Sequence, residues 1–122
     1  MQTPKRVLVV DDQKMNRMLV EVMLASAGCV VTQAESGVEA LELLGREPFD
    51  VVLLDISMPG MSGDEVIVHI RANPAYHGMR VVAYTAHAME GDRSRLLRRG
   101  FDSILTKPIS GASLMAALAF PA

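Results

Sequence analysis

Short β-branched and aliphatic runs alternate along the chain with longer segments in which apolar residues recur every three or four positions. The short runs cover residues 6–10, 30–34, 51–54, 80–84 and 103–106. Most lack polar alternation, which predicts strands covered on both faces, as in a parallel sheet with crossover helices. In the first long segment Met15, Met18, Leu19, Val22 and Met23 keep the spacing of one helical face, and they are read as core filling, with Gly28 placed as a C-terminal cap. The second helix is predicted to open at Ser36 and Glu39, which have capping-box spacing, and to run through Leu41 and Leu44 toward Pro48. A third is expected from near Asp64, burying Val66, Ile67 and Ile70 and stopping before the Asn73-Pro74 turn. A fourth is expected over residues 88–99, closed by Gly100, and a last one from near Ser110 with Leu114, Met115 and Leu118 as its apolar side. The alternation predicts an α/β doubly wound open sheet, and the absence of any repeat, low-complexity tract or linker predicts one domain over residues 1–122.

Composition adds exclusions. Half of the 122 residues are hydrophobic and 21% are charged, a globular profile remote from that of disordered chains. The net charge of −2 gives no bias toward nucleic acid or an anionic membrane. Cys29 has no second cysteine to pair with and reads as a small buried residue entering a strand, in keeping with a reducing cytoplasm. The apolar run after Lys5 and Arg6 ends at Val10, too short for a signal peptide or a membrane span, so neither export nor anchoring is expected.

In an open parallel sheet, ligands bind beyond the carboxyl ends of the strands. Asp11 and Asp12 follow the first strand, Asp55 the third, Thr85 the fourth, and Lys107 with Pro108 the fifth. Right-handed crossovers put these residues on one rim, with three carboxylates close together. Two such charges about 5 Å apart repel by roughly 3 kcal/mol at an effective dielectric near 20, so the cluster calls for a cation. Clustered carboxylates with room for water and a phosphate oxygen suit magnesium. Lys107 adds a compact positive charge and Thr85 a hydroxyl donor, a set suited to a phosphoryl anion, and a carboxylate among the acids can attack phosphorus.

The stretches VLVVDDQ, VVLLDISMPGMSG, VVAYTA and ILTKPIS, in that order and strand context, resemble the response-regulator receiver domain of bacterial two-component signalling over nearly the whole chain. The resemblance implies a flavodoxin-like sheet of order 2-1-3-4-5 flanked by five helices. It makes Asp55 the phosphoacceptor, Asp11 and Asp12 the metal-binding acids with Asp55, and the Ser57 backbone carbonyl a further magnesium ligand; Thr85 becomes the switch hydroxyl and Lys107 the phosphate counter-ion. It implies a cis bond between Lys107 and Pro108. A sensor histidine kinase or histidine phosphotransfer protein is the implied donor. A downstream protein is expected to read the surface of the fourth helix, fifth strand and last helix, with no nucleic acid or membrane partner and a cytoplasmic location. Such a protein is a switch that catalyses only its own phosphorylation and dephosphorylation, and not an enzyme of other substrates. One departure stands out: the family's aromatic switch position, three residues before the lysine, holds Ile104, so output is expected to pass through the loop after the fourth strand.

Other readings remain beside these. Asp55 alone is equally a turn or capping acid, and Lys107 a solvated surface lysine. His69, His77 and His87 lack ligand spacing and read as surface residues, His87 bordering the crevice. Arg93, Arg95, Arg98 and Arg99 form either a solvated basic face or a dock for an acidic partner. A haloacid-dehalogenase-type phosphatase needs a second Asp where Ser57 stands, and an FMN carrier needs a hydroxyl-rich loop where Asp11 and Asp12 stand. An unphosphorylated receiver used purely for binding is the third rival. The chain is expected to be either a free-standing receiver or one taken from a hybrid kinase.

Overall fold

The computed structural model describes residues 5–86, 90–107 and 110–118. Five strands, β1 (Arg6–Val10), β2 (Val30–Ala34), β3 (Val51–Asp55), β4 (Arg80–Thr85) and β5 (Ser103–Thr106), form one parallel sheet in the order β2-β1-β3-β4-β5. Five α-helices follow them in turn: α1 (Lys14–Ser26), α2 (Gly37–Arg46), α3 (Gly63–Ala72), α4 (Glu90–Arg99) and α5 (Gly111–Leu118). A single 3₁₀ turn at Pro74–Tyr76 precedes β4.

The predicted doubly wound sheet is therefore present, and its period-two geometry divides the core. Val7, Val9, Leu53, Val82 and Leu105 point to one face and meet Val20 and Leu24 of α1 and Leu114 of α5. Leu8, Val10, Leu54, Ala83 and Ile104 point to the other and meet Ala40, Leu44, Val66, Ile67, Ile70 and Leu96 of α2, α3 and α4. Both layers are apolar because each strand is covered twice.

Helix ends follow their local chemistry. Gly28 at φ +84 closes α1, its N–H donating to the Ala25 carbonyl and that of Cys29 to the Leu24 carbonyl, the paired bonds of a left-handed C-terminal cap. Ser36 caps α2 by accepting from the Glu39 N–H at 3.1 Å, and Glu39 reaches back to the Glu35 N–H rather than to that of Ser36. Ser62 caps α3 in the same way, so that helix starts at Gly63, one residue before the expected position.

Three readings require correction. Met15, Met18, Leu19 and Val22, taken as core filling, are 77%, 47%, 50% and 66% exposed, and the buried stripe of α1 is Val20 and Leu24 with Met23 partly covered. The reason is polar. Arg17 turns inward to donate to the Asp11 carbonyl at 2.8 Å and to Gln33 Oε1 at 3.0 Å, and Gln33 in turn donates to Glu21. An inward network of this kind reverses the usual sense of an amphipathic helix. On α5, Met115 is likewise 42% exposed and Leu114 carries the packing; the Leu118 side chain lies outside the described residues. Cys29, expected to be buried, is half-buried. Among the described residues no helix is long and apolar enough to cross a membrane.

Candidate functional site

The carboxyl ends of β1, β3, β4 and β5 bring the expected residues together. Asp11 follows β1 directly, its N–H donating to the Ala34 carbonyl of β2. Asp55 and Thr85 are themselves the last residues of β3 and β4, one position further into the ladder than predicted, because Asp55 pairs with Tyr84 and Thr85 with Thr106. Asp11, Asp55 and Thr85 are the buried polar residues of the described chain, while Asp12 is exposed. Carboxylate oxygens of Asp11, Asp12 and Asp55 all lie within 4.8 Å of one another.

Backbone contacts set the acids in place. The Gln13 N–H donates to Asp11 Oδ1 at 2.8 Å and the Ser57 N–H to Asp55 Oδ1 at 3.0 Å, so each carboxylate is turned by the loop that follows it. That second loop returns sharply: Gly60 sits at φ +77, and the Gly63 N–H donates to the Ile56 carbonyl. A Cβ on Gly63 would stand 2.6 Å from the Asp55 carbonyl oxygen, so glycine is what allows α3 to start against the end of β3. Met58, buried in the α2–α3 core, pins the loop, while Ser57 stays exposed.

Lys107 closes the rim. Its N–H donates to the Thr85 carbonyl at 2.8 Å, and its ammonium lies 3.2 Å from Asp55 Oδ2 and 3.4 Å from Asp11 Oδ2. One ammonium does not balance the acids. Asp11 Oδ2 is buried without a well-formed hydrogen bond, a costly state for a carboxylate oxygen. Burial, then the nearby Asp11 charge, push the Asp55 carboxyl up to about 6 against the opposing pull of Lys107 and the Ser57 N–H. Asp55 is thus still largely ionised at neutral pH, yet more basic than a surface carboxylate. Tyr84 borders the same cluster, and burial followed by the Asp11 carboxylate holds its phenol above the ordinary range.

A hard divalent cation fits this donor set, since it would supply the missing positive charge to carboxylate oxygens already gathered within 4.8 Å of one another, those of Asp11 and Asp55 buried. An anion with several oxygens fits beside it, between the cation position, the Lys107 ammonium and the Thr85 end of β4.

The remaining predicted residues fall elsewhere. His69 and His77 are exposed and away from the acids, as read; His87 and the Lys107-Pro108 bond involve positions outside the described residues. Ile104 is buried in the α2–α4 core beside Ala83. Arg93, Arg95, Arg98 and Arg99 are exposed, with Arg95 paired to Asp64 at 2.9 Å. Sequence reasoning missed Arg17, which braces the Asp11 carbonyl, and gave Tyr84 no role in the site. The available signal for Tyr84 was its place next to Thr85, a large polar aromatic at the end of an otherwise aliphatic strand.

The sequence profile of the response regulator receiver domain matches residues 7–119. Over 112 residues, 89% of this chain, the sequence is 43% identical to the sensor protein GacS of Pseudomonas syringae pv. syringae, of which the chain spans 12% of the length. Among solved structures, the chemotaxis response regulator CheY4 of Vibrio cholerae aligns at a TM-score of 0.90 and 30% identity, covering 95% of this chain and 97% of that one. The receiver domain of the sensor histidine kinase PA1611 from Pseudomonas aeruginosa PAO1, solved with a magnesium ion coordinated in its active-site cleft, aligns at 0.86 and 32% identity over 95% of each chain.

Proposed function

This chain belongs to the response regulator receiver family of two-component signalling, and on that premise we propose that it is a phosphorylation-dependent switch whose phosphoacceptor is Asp55. The observation that carries the reading is a buried, basic Asp55 held 3.2 Å from Lys107 and within a cluster of three carboxylates. Asp11, Asp12 and Asp55 would hold magnesium, with the Ser57 carbonyl as a further ligand. The bound ion would draw charge off the phosphoryl oxygens during transfer. The ion found in the PA1611 receiver supports this assignment.

The donor is a phosphohistidine on a kinase or phosphotransfer protein. An Asp55 oxygen forms the new O–P bond as the P–N bond breaks, and the electron pair of that bond returns to the imidazole nitrogen. Lys107 holds the phosphoryl oxygens that Asp55 brings into the crevice, and the Thr85 hydroxyl donates to one of them. The switch follows from that added charge: β4 ends at Thr85, and the segment beyond it leads into α4, so a shift at Thr85 biases the surface of α4, β5 and α5 toward a downstream protein. Ile104 is packed in the core and takes no part as a swinging ring, which leaves the β4 end to carry the signal.

The exposed apolar face of α1 belongs to the same picture. Met15, Met18, Leu19 and Val22 stand on the helix that follows the acid pair, and Leu19 also lines the cavity beside Lys107. A protein donor must bring its histidine to Asp55, and this face offers it apolar surface to bury next to the crevice.

Incubation with a small phosphodonor and magnesium tests the assignment. The parent chain should gain one phosphoryl group by intact mass and Asp55→Asn none, because a carboxamide is no nucleophile for phosphorus. Undiminished labelling of Asp55→Asn overturns it.

A further inference from the structure

The acid cluster needs Lys107 in a fixed place, yet lysine carries a flexible four-carbon stem that loses rotamer freedom when held. Space to move is at hand: a cavity of ≈ 400 Å³ lies against it, lined by Gln13, Asn16, Leu19, Val20, Tyr84 and Ala86. Two of the polar groups there are engaged with each other, the Asn16 amide donating to Gln13 Oε1 at 2.9 Å. Tyr84 is the lining residue left that meets the ammonium, which also pairs with Asp55 and Asp11. Its side chain is 3% exposed, on the α1–α5 face of the sheet, and its ring centroid lies 4.3 Å from Lys107 Nζ. The same nitrogen reaches Asp55 Oδ2 at 3.2 Å and Asp11 Oδ2 at 3.4 Å.

We propose that Tyr84 is a positioning residue of the phosphoryl-transfer site: its ring holds the Lys107 ammonium over the Asp55 side of the crevice, aimed at the incoming phosphoryl group and close enough to the acids to temper their hold on a divalent cation. The inference rests on the phosphoacceptor reading of Asp55. The physical basis is the negative face of the ring, to which a partly desolvated ammonium is attracted, together with the steric floor that keeps the lysine out of the cavity. An aliphatic residue at position 84 would fill the core as well and hold nothing.

The two halves of the proposal act in opposite directions, which makes them separable from damage to the fold. Tyr84→Leu should slow phosphorylation by a small phosphodonor at saturating magnesium by about fivefold, the worth of one buried cation–π contact. In the absence of donor, the same variant should bind magnesium about threefold more tightly in a calorimetric titration, because a positive charge no longer sits against the acids. A misfolded or loosened site would weaken both. Tyr84→Phe, which keeps the ring, should restore both values toward the parent. In a Lys107→Met background, Tyr84→Leu should change neither. Parental rate and affinity in Tyr84→Leu, or the same changes with and without Lys107, overturn the proposal. The magnesium titration uses no phosphodonor, so it judges Tyr84 even if Asp55→Asn should show that the phosphoacceptor lies elsewhere.

Discussion

The two ends of the sheet handle charge in opposite ways. At the amino ends of the strands nearly every charged group is matched. Arg71 donates to the carbonyls of Gly100, Tyr76 and Met79 and to Asp102, which also accepts the Val81 N–H at 2.8 Å. Asp50 accepts the Arg6 N–H, Arg6 pairs with Glu47 and lies over the Phe49 ring, and Arg80 donates to the Ala117 carbonyl at the end of α5. At the carboxyl ends three acids cluster beside one ammonium, which pairs with Asp11 and Asp55, and a buried oxygen of Asp11 is left without a hydrogen bond. The amino end is where polar groups stabilise the fold; the carboxyl end keeps an excess of negative charge that a bound divalent cation would relieve. A site of this kind trades stability for function.

The contrast breaks most visibly at Arg71. Its side chain ties α3, the 3₁₀ turn and the α4–β5 corner, and Gly100, at φ +119, brings that corner within 2.8 Å of the Arg71 Cγ for any Cβ placed there. Arg71→Ala removes hydrogen bonds from a charged group and leaves carbonyls unpaired, an expected loss of about 3 kcal/mol. Thermal unfolding should fall by roughly 10 °C for a chain of this length. Magnesium affinity should remain that of the parent, because nothing in the network touches the acids. A variant as stable as the parent would show that the amino end is no better tied than the other.

The carboxyl end should respond to pH in the reverse sense. Asp55 is held at about 6 in the folded chain, against 3.8 for the unperturbed group. An acid whose folded value is raised contributes stability that is complete below the unfolded value and is lost as pH rises through the folded one. Without metal, the chain should therefore gain about 1 kcal/mol between pH 7 and pH 5 relative to Asp55→Asn. Saturating magnesium should abolish that gain by stabilising the ionised form. A difference that is flat with pH in chelator would mean that Asp55 feels no such excess.

The same contrast explains what could be read from the chain. The strands were legible because each is a short aliphatic run stopped by a charged or hydroxyl residue, while their order followed from the resemblance to the receiver family; the rim was legible because those stops include Asp11, Asp55, Thr85 and Lys107. Capping residues announced α2 and the end of α1. Helix α1 was misread because the rule that apolar residues face inward assumes an apolar layer beneath, and beneath the N-terminal half of α1 lies the polar rim, met by Arg17 and through Gln33 by Glu21. Tyr84 was given no role in the site because its neighbours in sequence say nothing of Lys107, which reaches it across the β4–β5 pair.

The smallest effect expected concerns that misread helix. If Met15, Met18, Leu19 and Val22 serve the donor protein, polar replacement should be silent in every measurement made on the chain alone. Met15→Gln together with Val22→Gln changes two side chains that are 77% and 66% exposed, and neither is in contact with the acids, so unfolding temperature, magnesium affinity and the rate with a small phosphodonor should match the parent. Transfer from a phosphorylated histidine phosphotransfer protein that loads the parent should slow by roughly fivefold, as for apolar contacts near the edge of an interface. The small donor needs no surface beyond the crevice and the protein donor does, so the ratio of the two rates isolates docking from chemistry. An unchanged ratio would leave the apolar face of α1 outside the donor interface and place the recognition of the kinase elsewhere on the rim.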